Sequence, residues 1–272
     1  MAKYARALTI AGSDSGGGAG IQADLKTFSA LGCYGMSVIT AITAQNTREV
    51  TAVHAVPEEA VVAQLDAVLS DIGADAIKIG MLHNAGTATA VARALHRWKA
   101  GLIVLDPVMV AKSGDRLLSE EAIDGLVEHM FPLADLITPN LPEAEALLDR
   151  RIDGRDDMKT AAAGLLTLGP NAVLLKGGHL QGNQVFDVLV QRPEGGGVAT
   201  RWFEYPRVDT ANTHGTGCTL SSAVAAYLAH GRTLQDAVAA ARDYVQAAIE
   251  AGAAYELGRG HGPVLHFHAS WE

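Results

Sequence analysis

The sequence predicts an α/β fold, one domain built on a mostly parallel central sheet with helices on both faces. Short β-branched runs alternate with longer, helix-spaced segments from one end of the 272 residues to the other. Those short runs are apolar at consecutive positions, as strands covered on both sides require. Hydrophobic residues make up 49% and aromatics only 5%, so the core must be built from Ala, Val, Leu and Ile, which suits helices on a sheet better than a sandwich.

Ala7–Ala11 reads as the first strand, followed by a glycine-rich turn and a helix near Ile21–Leu31. Val38–Thr43 is short and β-branched, hence a strand. Glu58–Ile72 begins after Pro57, where a missing N–H is harmless, and carries Val61, Val62, Leu65, Val68, Leu69 and Ile72 at helical spacing. The alternation continues with strand Ala76–Gly80, helix Ala85–Trp98, strand Leu102–Asp106, helix Ser119–Met130 and strand Leu136–Thr138. Then come a short helix Pro142–Leu148, helix Asp156–Leu168, strand Ala172–Lys176 and a β-rich stretch from Val185 to Val208, with Gly195-Gly196-Gly197 as its hairpin turn. Two Ala-rich helices close the chain, Gly217–His230 and Leu234–Tyr255. No linker, repeat or low-complexity tract interrupts this order, so residues 1–272 are expected to form a single domain.

Charge and cysteine usage exclude several functions. Thirty acids against 21 bases give a net charge of -9 with no basic cluster, which argues against nucleic-acid or anionic-membrane binding. Two distant cysteines, Cys33 and Cys218, build neither a disulfide scaffold nor a cysteine zinc site. Ala7–Gly12 is too short for a secretory apolar region, and no stretch approaches the roughly 20 apolar residues of a membrane span. A cytoplasmic protein is the expectation.

Open parallel sheets bind ligands beyond the carboxyl ends of their strands. Six such ends carry polar or glycine residues: Gly12-Ser13-Asp14, Gln45-Asn46, Gly80-Met81, Asp106-Pro107, Pro139-Asn140 and Lys176-Gly177-Gly178. The segment Asn212-Thr213-His214-Gly215-Thr216-Gly217-Cys218 runs directly into a helix, whose free N–H groups and partial positive charge suit an anion such as a transferred phosphoryl group. Cys218 lies in that first turn, where the helix field favours a thiolate able to take a proton; the plain alternative is a small buried residue. Cys33, with no charge beside it in sequence, is assigned to packing. Asp106 and Glu143 offer hard oxygen ligands for Mg2+, although Asn140 and Glu143 could equally cap a helix. Lys176 is a candidate phosphate-binding cation or simply a solvated strand end. His261, His266 and His268 match no zinc spacing and are expected on an irregular surface tail. A Walker-type loop is absent, and Gly18-Ala19-Gly20-Ile21-Gln22-Ala23 matches a dinucleotide fingerprint without its downstream acid.

Together, Gly12–Asp24, Thr43–Thr47, Lys78–Leu82, Asp106–Met109, Thr138–Glu143, Lys176–His179 and Asn212–Cys218 resemble the bacterial hydroxymethylpyrimidine/phosphomethylpyrimidine kinases. The motifs occur in the family's order and span Leu8 to about Phe267. The resemblance implies a ribokinase-like fold and ATP-dependent phosphorylation of 4-amino-5-hydroxymethyl-2-methylpyrimidine and then of its monophosphate, in thiamine biosynthesis. It implies that Gln45 recognises the pyrimidine, with Gly12, Asp24, Met81 and Val108 around it. Gly215, Thr216, Gly217 and Cys218 match the anion hole, Cys218 also the base. Asp106, Asn140 and Glu143 match the magnesium and phosphate region, and Lys176 the nucleotide-phosphate site. A homodimer is implied too. The cysteine form also occurs in some pyridoxal kinases, so a pyridoxal or pyridoxine kinase is the alternative within the class. Outside it stand a nicotinamide-dependent oxidoreductase using Gly18–Ala23 and a pyrimidine-binding regulator without turnover.

Overall fold

The period of two along each strand sorts the core. The computed structural model describes residues 3–109, 120–193 and 196–271. In β1 (Ala5–Asp14), Leu8 and Ile10 join one buried cluster while Ala7 joins the other, on the opposite face. β4 (Ala76–Ile79) repeats this with Ile77 and Ile79 against Ala76, and β5 (Ile103–Leu105) with Ile103 and Leu105 against Val104. Both faces are therefore apolar, and both are covered by helices. On one face lie α2 (Glu58–Asp71), α3 (Ala85–Arg97), α4 (Glu120–His129), α5 (Leu141–Leu148) and α6 (Arg155–Leu166). On the other lie α1 (Gly20–Ala30), α7 (Thr216–Ala229) and α8 (Leu234–Gly252). This second face is lined by small residues, Ala7, Ala76 and Ala172 on the strands against Ala223, Ala225 and Ala226 on α7, which lets that helix lie close to the sheet.

The remaining strands are β2 (Cys33–Gln45), β3 (Val50–Ala55), β6 (Leu136–Ile137), β7 (Ala172–Lys176), β8 (Gln184–Gln191) and β9 (Ala199–Pro206), in the order β3-β2-β1-β4-β5-β6-β7-β8-β9. Pairing is parallel from β2 through β7 and antiparallel at both edges, β2 with β3 and β7 with β8 and β9. The mostly parallel, doubly covered sheet is the one expected from sequence. β3 is the strand missed there. Its six residues are half-buried or exposed along its length, so it carries no apolar run to announce it. Ser119, expected to open a helix, and Gly195, in the expected hairpin turn, lie outside the described residues.

The histidine tail needs correcting. His261 is exposed, but His266 is 4% exposed, with Nε2 3.0 Å from Thr219 Oγ1 on α7 and its carbonyl accepting from the Tyr244 hydroxyl at 2.7 Å. Burial pushes its pKa down to about 4. The terminal segment is thus partly core. Among the described residues no helix is long and apolar enough to cross a membrane.

Candidate active site

All six singled-out strand ends open into one crevice of about 770 Å³. β1 contributes Gly12, Ser13 and Asp14, β2 contributes Gln45, and Met81 follows β4. Asp106 and Val108 follow β5, Asn140 and Glu143 follow β6, and Lys176 ends β7. The start of α7 closes the floor with Gly215, Thr216, Gly217 and Cys218. Gly215 precedes α7 in a left-handed conformation, φ 77°, and a Cβ there would stand 1.8 Å from the Gly18 carbonyl oxygen. Glycine at this position thus brings the first turn against the Gly18–Ala19 backbone. Behind it, the N–H groups of Gly217 and Cys218 have no partner within the helix, while the Thr216 N–H donates to the Thr213 carbonyl at 3.4 Å.

Beside that turn, Lys176 Nζ donates to Asp106 Oδ1 at 2.9 Å, with both side chains largely buried. Thr138 Oγ1 donates to the same oxygen at 3.0 Å, and Ser221 of α7 approaches Oδ2 at 3.4 Å. A Cβ on Gly217 would lie 3.3 Å from Lys176 Nζ and 3.5 Å from Asp106 Oδ2, so the pair sits directly at the α7 terminus. Burial alone would raise the Asp106 pKa, but the charges of Lys176 and Lys78 win and hold it below the usual range. For Lys176, burial is likewise outweighed by Asp106 and Glu143, and its pKa is raised. Lys176 is therefore no solvated strand end.

Asn140 and Glu143 close a capping box at the start of α5: Asn140 Oδ1 accepts from the Glu143 N–H at 2.9 Å, and Glu143 Oε2 accepts from the Asn140 N–H at 2.7 Å. Both also line the crevice, so capping and a place in the site coexist. Burial pushes the Glu143 carboxyl up to about 7, with Asp106 adding to the shift and Lys176 opposing it. The described residues hold no cluster of three or more His, Cys, Asp or Glu side chains suited to a metal. Two carboxylates lining the same crevice fit Mg2+, which commonly takes one or two carboxylates and fills its shell with water and phosphate oxygens.

Two expectations change at this site. Asp24 does not line the crevice; it is fully buried behind it, ion-paired with Lys78 at 2.9 Å and accepting from Thr9 and Ser222 hydroxyls at 2.6 Å each. It supports the pocket from below. The Cys218 thiol is not eased toward thiolate: burial pushes it up to about 11, against the pull of the Lys78 charge and the Gly20 N–H. Desolvation wins over the helix field even though Cys218 is only half-buried and lines the crevice. Cys33 is buried as expected, with Sγ 3.7 Å from the Ala226 carbonyl, and also 3.4 Å from His230 Nε2.

The family model described as phosphomethylpyrimidine kinase matches residues 14–265. The chain belongs to the phosphomethylpyrimidine kinase family. A hydroxymethylpyrimidine/phosphomethylpyrimidine kinase of Rhizobium meliloti is 53% identical over 273 residues, 98% of each chain. A thiamine biosynthesis bifunctional protein of Geobacter sulfurreducens is 52% identical over 97% of this chain, which spans about half (52%) of that longer protein. Among solved structures, a phosphomethylpyrimidine kinase from Clostridium difficile 630 shares 46% identity at a TM-score of 0.78, covering 90% of this chain and 99% of that one. A Bacillus subtilis pyridoxal kinase, solved as an ADP complex, shares 37% identity at a TM-score of 0.90, covering 99% and 100%. Kinases of this family use ATP as co-substrate.

In this phosphomethylpyrimidine kinase family member, sequence reasoning missed Asp14 and His214 as a pair. Asp14 accepts from the Gly16, Gly18 and Ala19 N–H groups at 2.8, 3.0 and 2.8 Å, and His214 Nε2 lies 3.0 Å from its Oδ2. Burial opposes the Asp14 charge, but His214 and these N–H groups hold its pKa low. The pair ties the glycine-rich loop after β1 to the turn before α7. It also spends the Gly18 and Ala19 amides that a dinucleotide fingerprint would offer to a pyrophosphate, which removes the structural basis for the oxidoreductase alternative. The signal was present, since a carboxylate two to five residues before several glycines can take their N–H groups. The partner 200 residues away was not visible.

Proposed function

We propose that the chain transfers the γ-phosphoryl group of ATP to 4-amino-5-hydroxymethyl-2-methylpyrimidine and then to the resulting monophosphate, in thiamine biosynthesis. The observation that carries this reading is the meeting of the α7 terminus with the Asp106–Lys176 pair in one crevice that also holds Gln45. Phosphoryl transfer demands positioning and charge neutralisation rather than covalent chemistry by the protein. The N–H groups of Gly217 and Cys218 face the charge that builds on the transferred group, and Lys176 supplies a fixed cation beside them. Asp106 and Glu143 would hold Mg2+, which supplies neutralisation of the phosphate oxygens when bound. Asn140 keeps Glu143 in place through the capping box. Gln45 carries both a donor and an acceptor for an aminopyrimidine edge; Thr43 Oγ1 lies 3.2 Å from its Oε1 but donates to the Ser13 carbonyl at the shorter 2.8 Å. Gly12, Met81 and Val108 wall the ring. Cys218 in its thiolate form receives the hydroxyl proton as the new P–O bond forms; with the thiol pushed up to about 11, that thiolate is a minor species at neutral pH.

The same reading places the enzyme in the cytoplasm as a homodimer, on family resemblance. A second reading, pyridoxal kinase activity, is favoured by the likeness to the Bacillus subtilis pyridoxal kinase. ATP turnover measured in parallel with the pyrimidine alcohol, its monophosphate and pyridoxine tests both. The proposal expects the two pyrimidines to be consumed with the higher kcat/KM; faster use of pyridoxine than of either would replace it with the second reading.

A further inference from the structure

Lys78 is a buried ammonium that the chemistry above leaves without a task. It is 0% exposed on the α1–α7 face of β4, and Nζ donates to Asp24 Oδ2 at 2.9 Å. An ammonium carries three donors, and Asp24 is the hydrogen-bond partner that the described residues provide. Unlike Asp24, Lys78 reaches the crevice wall. The strand beyond it is bare: a Cβ on Gly80 would stand 2.8 Å from Nζ. Ser222, which holds Asp24, lies one helical turn after Cys218 on the same side of α7. The Lys78 charge acts on both Cys218 and Asp106. Lys78 thus rises beneath the reacting end of the crevice, while Lys176 is engaged by Asp106 and Arg242 lies 2.9 Å from Asp187.

The two acceptors of the proposed function, on which this step rests, differ in charge. The alcohol is neutral and gives up a proton as its oxygen bonds to the γ-phosphorus and the bond to the ADP oxygen breaks. The monophosphate attacks through an oxygen that already carries negative charge. It needs no base, but it must approach a like-charged phosphate in a crevice that holds Asp106 and Glu143. We propose that Lys78 is the counter-charge for the phosphate of the monophosphate acceptor, and so separates the second phosphorylation from the first. ADP leaves with the electron pair of the broken bond in both steps.

The test is the double variant Lys78→Met/Asp24→Asn, which removes the pair at nearly constant volume and orphans no buried charge. Circular dichroism and ATP binding report its fold, and kcat and KM are measured for each acceptor separately. For the monophosphate kcat/KM should fall about 10²-fold, the scale of losing one positioned donor. For the alcohol it should fall by less than about tenfold, because that acceptor brings no charge to be met. Equal losses, or a larger loss with the alcohol, overturn the role of Lys78. Should the variant not fold, 31P NMR of the monophosphate bound to the wild-type protein decides: its second ionisation, near 6 in the free ester, should move down beside the ammonium, and an unchanged or raised value overturns the proposal. Wild-type protein inactive on both pyrimidines would instead overturn the proposed function itself.

Discussion

Two lysine–aspartate pairs of the same length flank the start of α7, and they differ in what else is near. Lys78–Asp24 and Lys176–Asp106 both close at 2.9 Å. Adjacent residues of one helix attend to them, Ser222 donating to Asp24 and Ser221 approaching Asp106. Around Asp24 the account is balanced, with one carboxylate, one ammonium and two hydroxyl donors, all sealed from solvent. Around Asp106 a second carboxylate, Glu143, shares Lys176, and its pKa rises to about 7. The first pair frames the crevice from beneath and stays balanced until an acceptor brings its own negative charge to the wall that Lys78 lines. The second carries surplus negative charge that opens into the crevice, which suits a divalent cation and phosphate. Charge left over after pairing suits the second pair to a cation, whereas the balanced first pair can answer only charge that the substrate brings.

The frame is broken most severely by removing its anion. Asp24→Ala leaves Lys78 buried without a partner, and loss of one member of a buried pair typically costs about 3–5 kcal/mol. Urea unfolding at neutral pH should show that loss. A change below about 1 kcal/mol would mean that water or a rotamer change rescues Lys78, and that the pair is no frame.

Asp106→Asn should act the other way, on turnover more than on stability. Asparagine keeps the size and one acceptor for Thr138 and Lys176 but lowers the negative charge available to a cation. Turnover should fall about 10²–10³-fold, and excess Mg2+ should restore only part of it. Turnover equal to wild type at limiting Mg2+ would erase the distinction between the two pairs.

Much of this arrangement is legible in the chain. Strand ends carrying Asp106, Asn140 and Lys176 can be found by alternation alone, because a parallel sheet collects them at one edge. The glycines before Cys218 announce a backbone approach. Depth is what sequence conceals. Asp24 sits within a glycine-rich motif and reads as a ligand residue, yet its helical position turns it toward Lys78 and Thr9, behind the cavity. Cys218 reads as an eased thiolate because the helix field is local and visible, whereas the burial that outweighs it comes from distant segments. His266 and the Asp14–His214 pair were hidden for the same reason: their partners lie 47 and 200 positions away.

Cys218 lies above both pairs, since Ser221 and Ser222 follow it by three and four residues on α7. If it takes the hydroxyl proton, Cys218→Ser should lower turnover of the alcohol about 10²-fold, the low end for a positioned base, since so little thiolate is present. The raised pKa fixes the sign of a second measurement. A group whose ionisation is displaced to about 11 stays protonated through neutral pH, so alkylation should accelerate roughly tenfold per pH unit from 7 to 9 without levelling off. Cys33, also near 11, is removed as Cys33→Ser so that one thiol is followed. A plateau in rate near pH 7 would show that the Lys78 charge, and not burial, governs this sulfur.

The smallest effect should come from the crevice mouth on the Lys78 side. Gln45 ends β2, next to β1 and two strands from Lys78, and far along the sheet from the β7 end that holds Lys176. Its side chain is half-buried, so Gln45→Ala removes one amide without orphaning a buried charge. The loss should be about 1–3 kcal/mol of pyrimidine binding, nearer the lower figure because water can replace the contact. ATP affinity should hold, because the Lys176–Asp106 pair and the α7 amides are untouched. Calorimetry with each ligand separately makes the comparison. If ATP binding weakens as much as pyrimidine binding does, the two ends of the crevice are one coupled site, and dividing them into an acceptor side and a nucleotide side is wrong.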